Sequence, residues 1–390
     1  MRRLSAKYLY TLTAAEPILN GFVEVEEDGT VVRTGVCPEG EAVPDGAIVP
    51  GFVNAHCHVE LSYLKGQFRK GTGMAGFIDQ INAMRDNTPQ DARVAALKAA
   101  MDQLWAQGVV AMADISNGPD SFAVKAAHPL YTRTFLEVFG ADPSSCADVM
   151  AGVKALQQKA LAFGLDAAPT PHSCYTMSPK LLEITARRGL ESGAISYHSQ
   201  ESQEEEDMIM KGSGALADNY RERGLSTPPV TGTTALEYFI DRIAEKEGKV
   251  KGRINLVHNV VISQRSIDRA LEALESPFFS ICPLSNIFIH RQLPPVDIMR
   301  KNGLKICLGT DSLSSNLILD MVREMECLQA NFPHLELGEI LSWACTNGAE
   351  LLGKEDTLGS LKEGKTPGIV LLENVEGFRI NENSMSTRLI

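Results

Sequence analysis

Two histidines one residue apart, His56 and His58, close an apolar run that starts at Ile48 and reads Ile-Val-Pro-Gly-Phe-Val-Asn-Ala-His-Cys-His. Residues two apart on a strand point to the same face, so both imidazoles can reach one ion. Neutral imidazole is a common ligand for zinc and also suits iron. With eight histidines in 390 residues, chance supplies a His-x-His about once in six such chains, so the pair needs company. It has company at the ends of later apolar runs: Pro171-His172-Ser173, Tyr197-His198-Ser199-Gln200-Glu201, Leu256-Val257-His258-Asn259, Cys282-Pro283-Leu284-Ser285-Asn286 and Leu308-Gly309-Thr310-Asp311-Ser312. His56, His58, His198 and Asp311 make a nitrogen-and-oxygen donor set for one divalent metal, with room left for a water. His128, His290 and His334 lie near prolines or in loops and read as structural or solvated.

Something must bring these run ends together. From residue 50 onward, strand-like runs alternate with helical stretches, the mark of βα units on a parallel sheet. After the opening run come strands over 109–115, 130–139, 164–171, 193–198, 254–258, 278–282 and 304–309, with helices over 91–107 and 143–162. That predicts an α/β fold built on a (β/α)8 TIM-like barrel, which carries its chemistry at the C-terminal strand ends. A doubly wound sheet is the alternative, and its phosphate fingerprint should follow the first strand. Gly71, Gly73 and Gly76 match G-x-G-x-x-G but follow a polar, basic stretch, so they read as a flexible loop over a barrel mouth. Residues 1–49 and 354–390 read as short strands, with Asp28-Gly29 a hairpin turn, and together predict a small β-sandwich beside a barrel over 50–353. The acidic run Glu204-Glu205-Glu206-Asp207 reads as the start of a solvated helix.

The formal charge of -12 argues against nucleic acid or an anionic membrane as partner. No apolar run approaches the roughly 18–20 residues that span a bilayer, and residues 1–10 lack the apolar core of a leader. Eight scattered cysteines without a C-x-x-C pair suit buried thiols in a reducing compartment. A cytoplasmic location is expected.

In their order along the chain, Pro-Gly-Phe-Val-Asn-Ala-His-Cys-His, His-Ser-Gln-Glu-Ser, Val-His-Asn, Cys-Pro-Leu-Ser-Asn, Leu-Gly-Thr-Asp-Ser and Thr-Asn-Gly-Ala-Glu-Leu-Leu-Gly resemble the motifs of the amidohydrolase superfamily. The likeness runs from residue 50 to 353 and is strongest to the branch of chlorohydrolases, cytosine, guanine and adenosine-type deaminases, and aminodeoxyfutalosine deaminases. It implies one divalent metal, zinc first and iron second, on His56, His58, His198 and Asp311. Binuclear relatives carry a bridging carboxylated lysine at the end of strand four. Here that place holds His172, with Lys180 further on in a helix, so a single metal is implied.

The resemblance further implies Glu201, His258 and Asp311 as catalytic residues. Asp311 would take a proton from the attacking water, Glu201 would carry a proton to a ring nitrogen and then to the leaving ammonia, and His258 would steady the attack. His172, Glu60, Ser285 and Asn286 are the candidate substrate contacts, with Glu137 and Asp114 as lesser candidates; for Ser285 and Asn286 the alternatives are to orient strand seven or the Asp311 loop, or to make a turn. Leu284, where relatives often have a polar residue, suggests a more apolar pocket. The expected activity is hydrolytic deamination of an amino-substituted N-heterocycle, a small molecule such as a purine nucleoside, by an enzyme that family habit would make a homodimer. One alternative keeps the site and hydrolyses a cyclic amide, or a halogen or alkylamino substituent. Another, of a different class, is a non-catalytic metal-binding assembly protein. The unrelated cytidine-deaminase zinc fold is excluded, because its H-x-E and P-C-x-x-C signature is absent.

Overall fold

The computed structural model describes all 390 residues. Strands β1 (Arg2–Leu9), β2 (Ile18–Val25), β3 (Val31–Val36) and β4 (Ala47–Pro50) share a six-stranded sheet with β13 (Ile369–Glu373) and β14 (Met385–Arg388), in the order β14-β13-β4-β1-β2-β3. The β2–β3 hairpin turns at Asp28-Gly29: Gly29 has φ +87°, and the Asp28 carboxylate accepts the Thr30 N–H at 2.9 Å. Positive φ is where glycine avoids the Cβ penalty.

The apolar run before the histidines is two strands rather than one. β4 pairs in the small sheet, and after Gly51 the chain continues as β5 (Phe52–Cys57). A Cβ on Gly51 would stand 2.4 Å from Val110 Cγ1 and 2.6 Å from the Pro367 carbonyl oxygen, so only glycine fits the crossing point.

β5 is followed by β6 (Val109–Ser116), β7 (Tyr131–Val138), β8 (Asp166–Pro171), β9 (Ala194–Ser199), β10 (Val250–His258), β11 (Leu274–Ile281) and β12 (Ile306–Leu308). All neighbours pair in parallel, in the runs β5-β6-β7-β8 and β9-β10-β11-β12. Two seams close the ring. At one, Thr170 Oγ1 accepts the Ser196 N–H at 2.7 Å and the His172 carbonyl accepts the His198 N–H at 2.9 Å. At the other, the His56 carbonyl accepts the N–H groups of Thr310 and Asp311 at 3.1 and 3.0 Å. The fold is a TIM-type barrel, and each strand expected from the sequence is one of its eight.

Period-two alternation decides what each strand offers the interior. Along β9, Ser196 and His198 face the barrel axis. Tyr197 faces outward and stacks on Phe239 of the helix Ala235–Ile243, with ring centroids 3.8 Å apart. Strand and helix lock together through that pair, which contributes about 0.5–1.5 kcal/mol beyond its area.

The glycine-rich stretch is only partly a loop, because the helix Gly73–Met84 begins inside it. The acidic run opens the helix Gln203–Lys211, but that helix is not simply solvated: Glu205 and Glu206 are buried. All eight cysteines are free and buried, and no helix is long and apolar enough to cross a membrane.

Candidate active site

His56 and His58 emerge from the end of β5 with His198 opposite, at the end of β9. Their Nε2 atoms converge: His58 lies 3.1 Å from His56 and 3.3 Å from His198. Burial pushes all three imidazoles below their ordinary value, and at His56 and His198 the neighbouring histidines add to this. They are therefore neutral. Asp311, after β12, brings Oδ1 to 3.8 Å from His56 Nε2 and 3.6 Å from His58 Nε2. Its other oxygen is occupied, since Ser285 and Ser315 donate hydroxyls to Oδ2 at 2.6 and 2.7 Å.

These residues fit a divalent metal. Three neutral rings whose lone pairs face one point satisfy each other poorly, and an ion among them accepts all three. Ligand bonds of about 2.0–2.1 Å at roughly tetrahedral or square angles give edges of about 2.9–3.4 Å, which brackets both Nε2 separations. Lys180 is an exposed residue of the helix Pro179–Leu190 and lies outside the cluster.

Around this cluster lies a cavity of about 460 Å³, lined on the polar side by His58, His172, His198, Glu201, His258 and Asp311. Met74, Phe77, Ile78 and Ile81, all from the helix Gly73–Met84, make its apolar wall. That wall is fastened by the acidic run. Glu204 accepts the N–H groups of Met74 and Ala75 at 3.1 and 3.0 Å, satisfying otherwise orphaned donors at the start of that helix. Glu205 accepts the Glu201 N–H at 2.7 Å, and Glu206 accepts from the Gln200 side chain and the Ala235 N–H. Each acid therefore braces a neighbour. Burial, with Glu206 beside it, pushes the Glu205 carboxyl up to about 8.

Glu201 reaches the cavity because Gln200 turns the chain through the left-handed region, at φ +48°. Burial raises its carboxyl, but His258 and His290 together outweigh burial and hold it below the usual carboxylate range. Nε2 of His258 lies 3.7 Å from Glu201 Oε1, and Nε2 of His290 lies 3.5 Å away. His258 has φ +77°, a costly conformation for a non-glycine residue, and the Asn286 amide nitrogen donates to its Nδ1 at 3.0 Å. With Nδ1 accepting from Asn286, the ring presents its N–H at Nε2, toward Glu201.

His172 lines the cavity as expected and stacks on His198 with ring centroids 4.5 Å apart. Burial first, and then neighbouring histidines, bring it down to about 3. Three other candidates lie elsewhere. Ser285 and Asn286 are fully buried and face Asp311 and His258, away from the substrate cavity; of the roles open to them, the contact to the Asp311 loop is the one made by Ser285. Glu60 lines a smaller recess beside the main cavity, where it accepts the Asn117 N–H at 2.9 Å and approaches Arg85. Leu284 is also absent from the cavity wall, and its N–H binds Glu324.

Two residues gain weight. Oε1 of Glu137 lies 3.4 Å from His198 Nδ1 and 3.9 Å from His172 Nε2, and neither Oε1 nor His198 Nδ1 has a hydrogen-bond partner elsewhere. Asn117 holds the other Glu137 oxygen at 3.0 Å and is itself held by Arg85 at 2.9 Å. Burial raises Glu137 to about 8, with Glu60 contributing. His290, read from the sequence as structural or solvated, is buried against Glu201. The one available signal was its i,i+4 spacing from Asn286, which puts both on one helix face. Asp114 is a support rather than a site residue: it accepts the Val59 N–H at 2.8 Å, directly after His58, and pairs with the fully buried Lys125.

The pattern of the amidohydrolase family matches residues 47–385. A 5-methylthioadenosine/S-adenosylhomocysteine deaminase of Desulforudis audaxviator is 26% identical, over 97% of this chain and 86% of its own length. The crystal structure of Helicobacter pylori aminofutalosine deaminase with methylthio-coformycin superposes with a TM-score of 0.79 at 22% identity, covering 97% of this chain and 94% of that one. A zinc-bound adenosine deaminase from Xanthomonas campestris gives a TM-score of 0.69 at 18% identity, covering 95% and 84%. The chain belongs to the amidohydrolase family and is a hydrolase acting on carbon–nitrogen bonds.

Proposed function

We propose that this protein is a zinc-dependent deaminase that removes the exocyclic amine of a 6-aminopurine nucleoside or a close analogue. The observation that carries the reading is Glu201: a buried carboxylate on the cavity wall, held ionised, beside a neutral three-histidine cluster. Replacing an amine on an aromatic ring by oxygen needs a proton delivered to the ring nitrogen and another to the leaving nitrogen, and a shuttling carboxylate does both. The reactions named for the sequence relatives agree with it, and a cavity of about 460 Å³ is in the range that holds a nucleoside-sized ligand.

His56, His58, His198 and Asp311 would hold the zinc ion. When bound, it lowers the pKa of a water toward 7 and so supplies a nucleophile near neutral pH. The remaining work falls to side chains. Asp311 keeps Oδ1 toward the cluster because two serines occupy Oδ2, and it accepts a proton from the attacking water. As oxygen bonds to the ring carbon, the ionised Glu201 takes one proton of the water and passes it to the adjacent ring nitrogen. His258, with its Nε2 proton toward the cavity, stabilises the charge developing on the incoming oxygen. The carbon–nitrogen bond then breaks as the second proton of the water, held by Asp311, passes through Glu201 to the amine, and ammonia leaves. One water enters and one ammonia departs. His172, kept neutral, offers an imidazole edge to the substrate.

Ammonia release by zinc-loaded protein across 6-aminopurine nucleosides, aminopyrimidines and pterins tests the proposal, with Glu201→Gln as control. Release from the nucleosides, lowered roughly 10²- to 10⁴-fold in the variant, is expected. No release from any nucleoside by fully metal-loaded protein overturns it, and so does a Glu201→Gln variant as active as the parent.

A further inference from the structure

We propose that His290 is the positioning residue for Glu201, and that the helix carrying it, Pro283–His290, aligns all three groups assigned to proton handling. The inference rests on the deaminase reading for its kinetic consequences and on geometry for its existence.

Three side chains of this one helix reach the site: Ser285 binds Asp311 at 2.6 Å, Asn286 binds His258 at 3.0 Å, and His290 stands 3.5 Å from Glu201. Asn286 and His290 are i and i+4, so they rise from one face a single turn apart. Their targets are neighbours in turn, since His258 and Glu201 approach to 3.7 Å. The spacing of the helix is thus copied onto the spacing of the pair.

His290 does not line the cavity, whereas Glu201 does. Its Nε2 is buried and has no hydrogen-bond partner, and the carboxylate oxygen is what it faces. With Oε1 between two imidazole Nε2 atoms, Oε2 is the oxygen left for the reacting molecule. Without His290, the carboxylate would keep one lateral support and could rotate away from the ring nitrogen.

The helix is well placed to carry this load. Pro283 occupies its first turn, where a missing N–H costs nothing. The Leu284 N–H is held by buried Glu324 at 2.9 Å, and Arg291 closes the last turn at φ +56°. Phe288 and Ile289 pack with Leu64 and Phe68, beneath the first barrel loop. The groups facing Glu201 are His258 from β10, His290 from this helix and His172 after β8, while Glu205 binds its N–H from the helix Gln203–Lys211. Of these three imidazoles, only His290 makes no other side-chain polar contact, since His172 meets Ser173 and Thr176 and His258 meets Asn286.

The test compares His290→Leu, which removes the donor, with His290→Gln, which keeps an N–H at similar reach, both zinc-loaded. In His290→Leu, kcat should fall about 10- to 100-fold, the scale of a misplaced reacting group. KM and zinc content should stay near the parent's, and the acidic limb of the kcat/KM profile should move to higher pH. His290→Gln should recover most of kcat. Carbon-13 NMR of glutamate-labelled protein, with Glu201→Gln to assign the signal, should show the Glu201 carboxyl titrating higher in His290→Leu. That last measurement needs no substrate, so it decides the contact even if no nucleoside is deaminated. A folded, metal-loaded His290→Leu with the parent's carboxyl titration overturns the proposal. So does an equal loss in both variants that follows falling melting temperature or zinc content.

Discussion

Glu137→Gln should weaken zinc binding about 10- to 100-fold while leaving the fold intact. His198 turns Nε2 toward the other histidines, so the proton of its neutral ring sits on Nδ1, 3.4 Å from Glu137 Oε1. The Glu137 oxygen facing Nδ1 fixes that tautomer and the plane of the ring. Glutamine can keep the Asn117 bond at 3.0 Å only by offering its NH₂ to Nδ1–H, donor against donor. If the amide is reversed, Nδ1–H is served and Asn117 is left facing NH₂. One buried polar group loses its partner either way, which costs about 1–3 kcal/mol. At about 1.4 kcal/mol per decade this is one to two powers of ten, the scale typical of groups that orient metal-bound histidines. Competition against a chromogenic chelator gives the affinity directly. The deaminase assay should show a deficit at limiting zinc that excess zinc restores. A Glu137→Gln protein that binds zinc as tightly as the parent would refute the reasoning and leave Glu137 as a cavity-wall residue only.

Three further perturbations follow from the same contacts. Glu205 holds its proton to about pH 8 in the folded protein, while an unfolded chain releases it near 4.3. Stability therefore falls as pH rises between those values, by roughly 1.4 kcal/mol per unit at most; Glu205→Gln should melt higher than the parent at pH 9 and not at pH 5, and an equal difference at both would count against it. Glu204→Ala removes the acceptor for Met74 and Ala75 N–H, a loss of about 1–2 kcal/mol at a helix start; faster hydrogen exchange over residues 73–84 and a raised KM are expected, and unchanged exchange would be the failing result. Lys125→Met leaves Asp114 buried without its partner, which should cost about 3–5 kcal/mol in urea unfolding, and a loss under 1 kcal/mol would mean that the pair is not the anchor beneath His58.

Much of this was legible in the sequence because a barrel writes its plan in one dimension. Each strand is a short apolar run, and whatever polar residue ends the run faces the mouth. His56, His58, His172, His198, His258 and Asp311 could be read that way, and so could all eight strands. What failed to read is what depends on side-chain direction between elements. The run Glu204–Asp207 has the composition of a solvated helix start, yet three of its carboxylates point inward at backbone N–H groups of three different segments. For Ser285 and Asn286 the sequence leaves a substrate contact and a role at the Asp311 loop both open, and only the direction of their helix, which turns its first residues toward β10 and that loop, decides between them.

His290 failed for a further reason, and it shows where such errors come from. Barrel logic assigns meaning to strand ends, so a histidine nine residues beyond β11, at the far end of a helix, falls outside the rule. The helix periodicity was available throughout: once Asn286 is placed against His258, a residue four positions later lies on the same face one turn on. Whether that residue matters then depends on what His258 touches, which is Glu201, a residue 57 positions earlier on another βα unit. Local spacing could nominate His290, but only the closed ring of strands brings it a target.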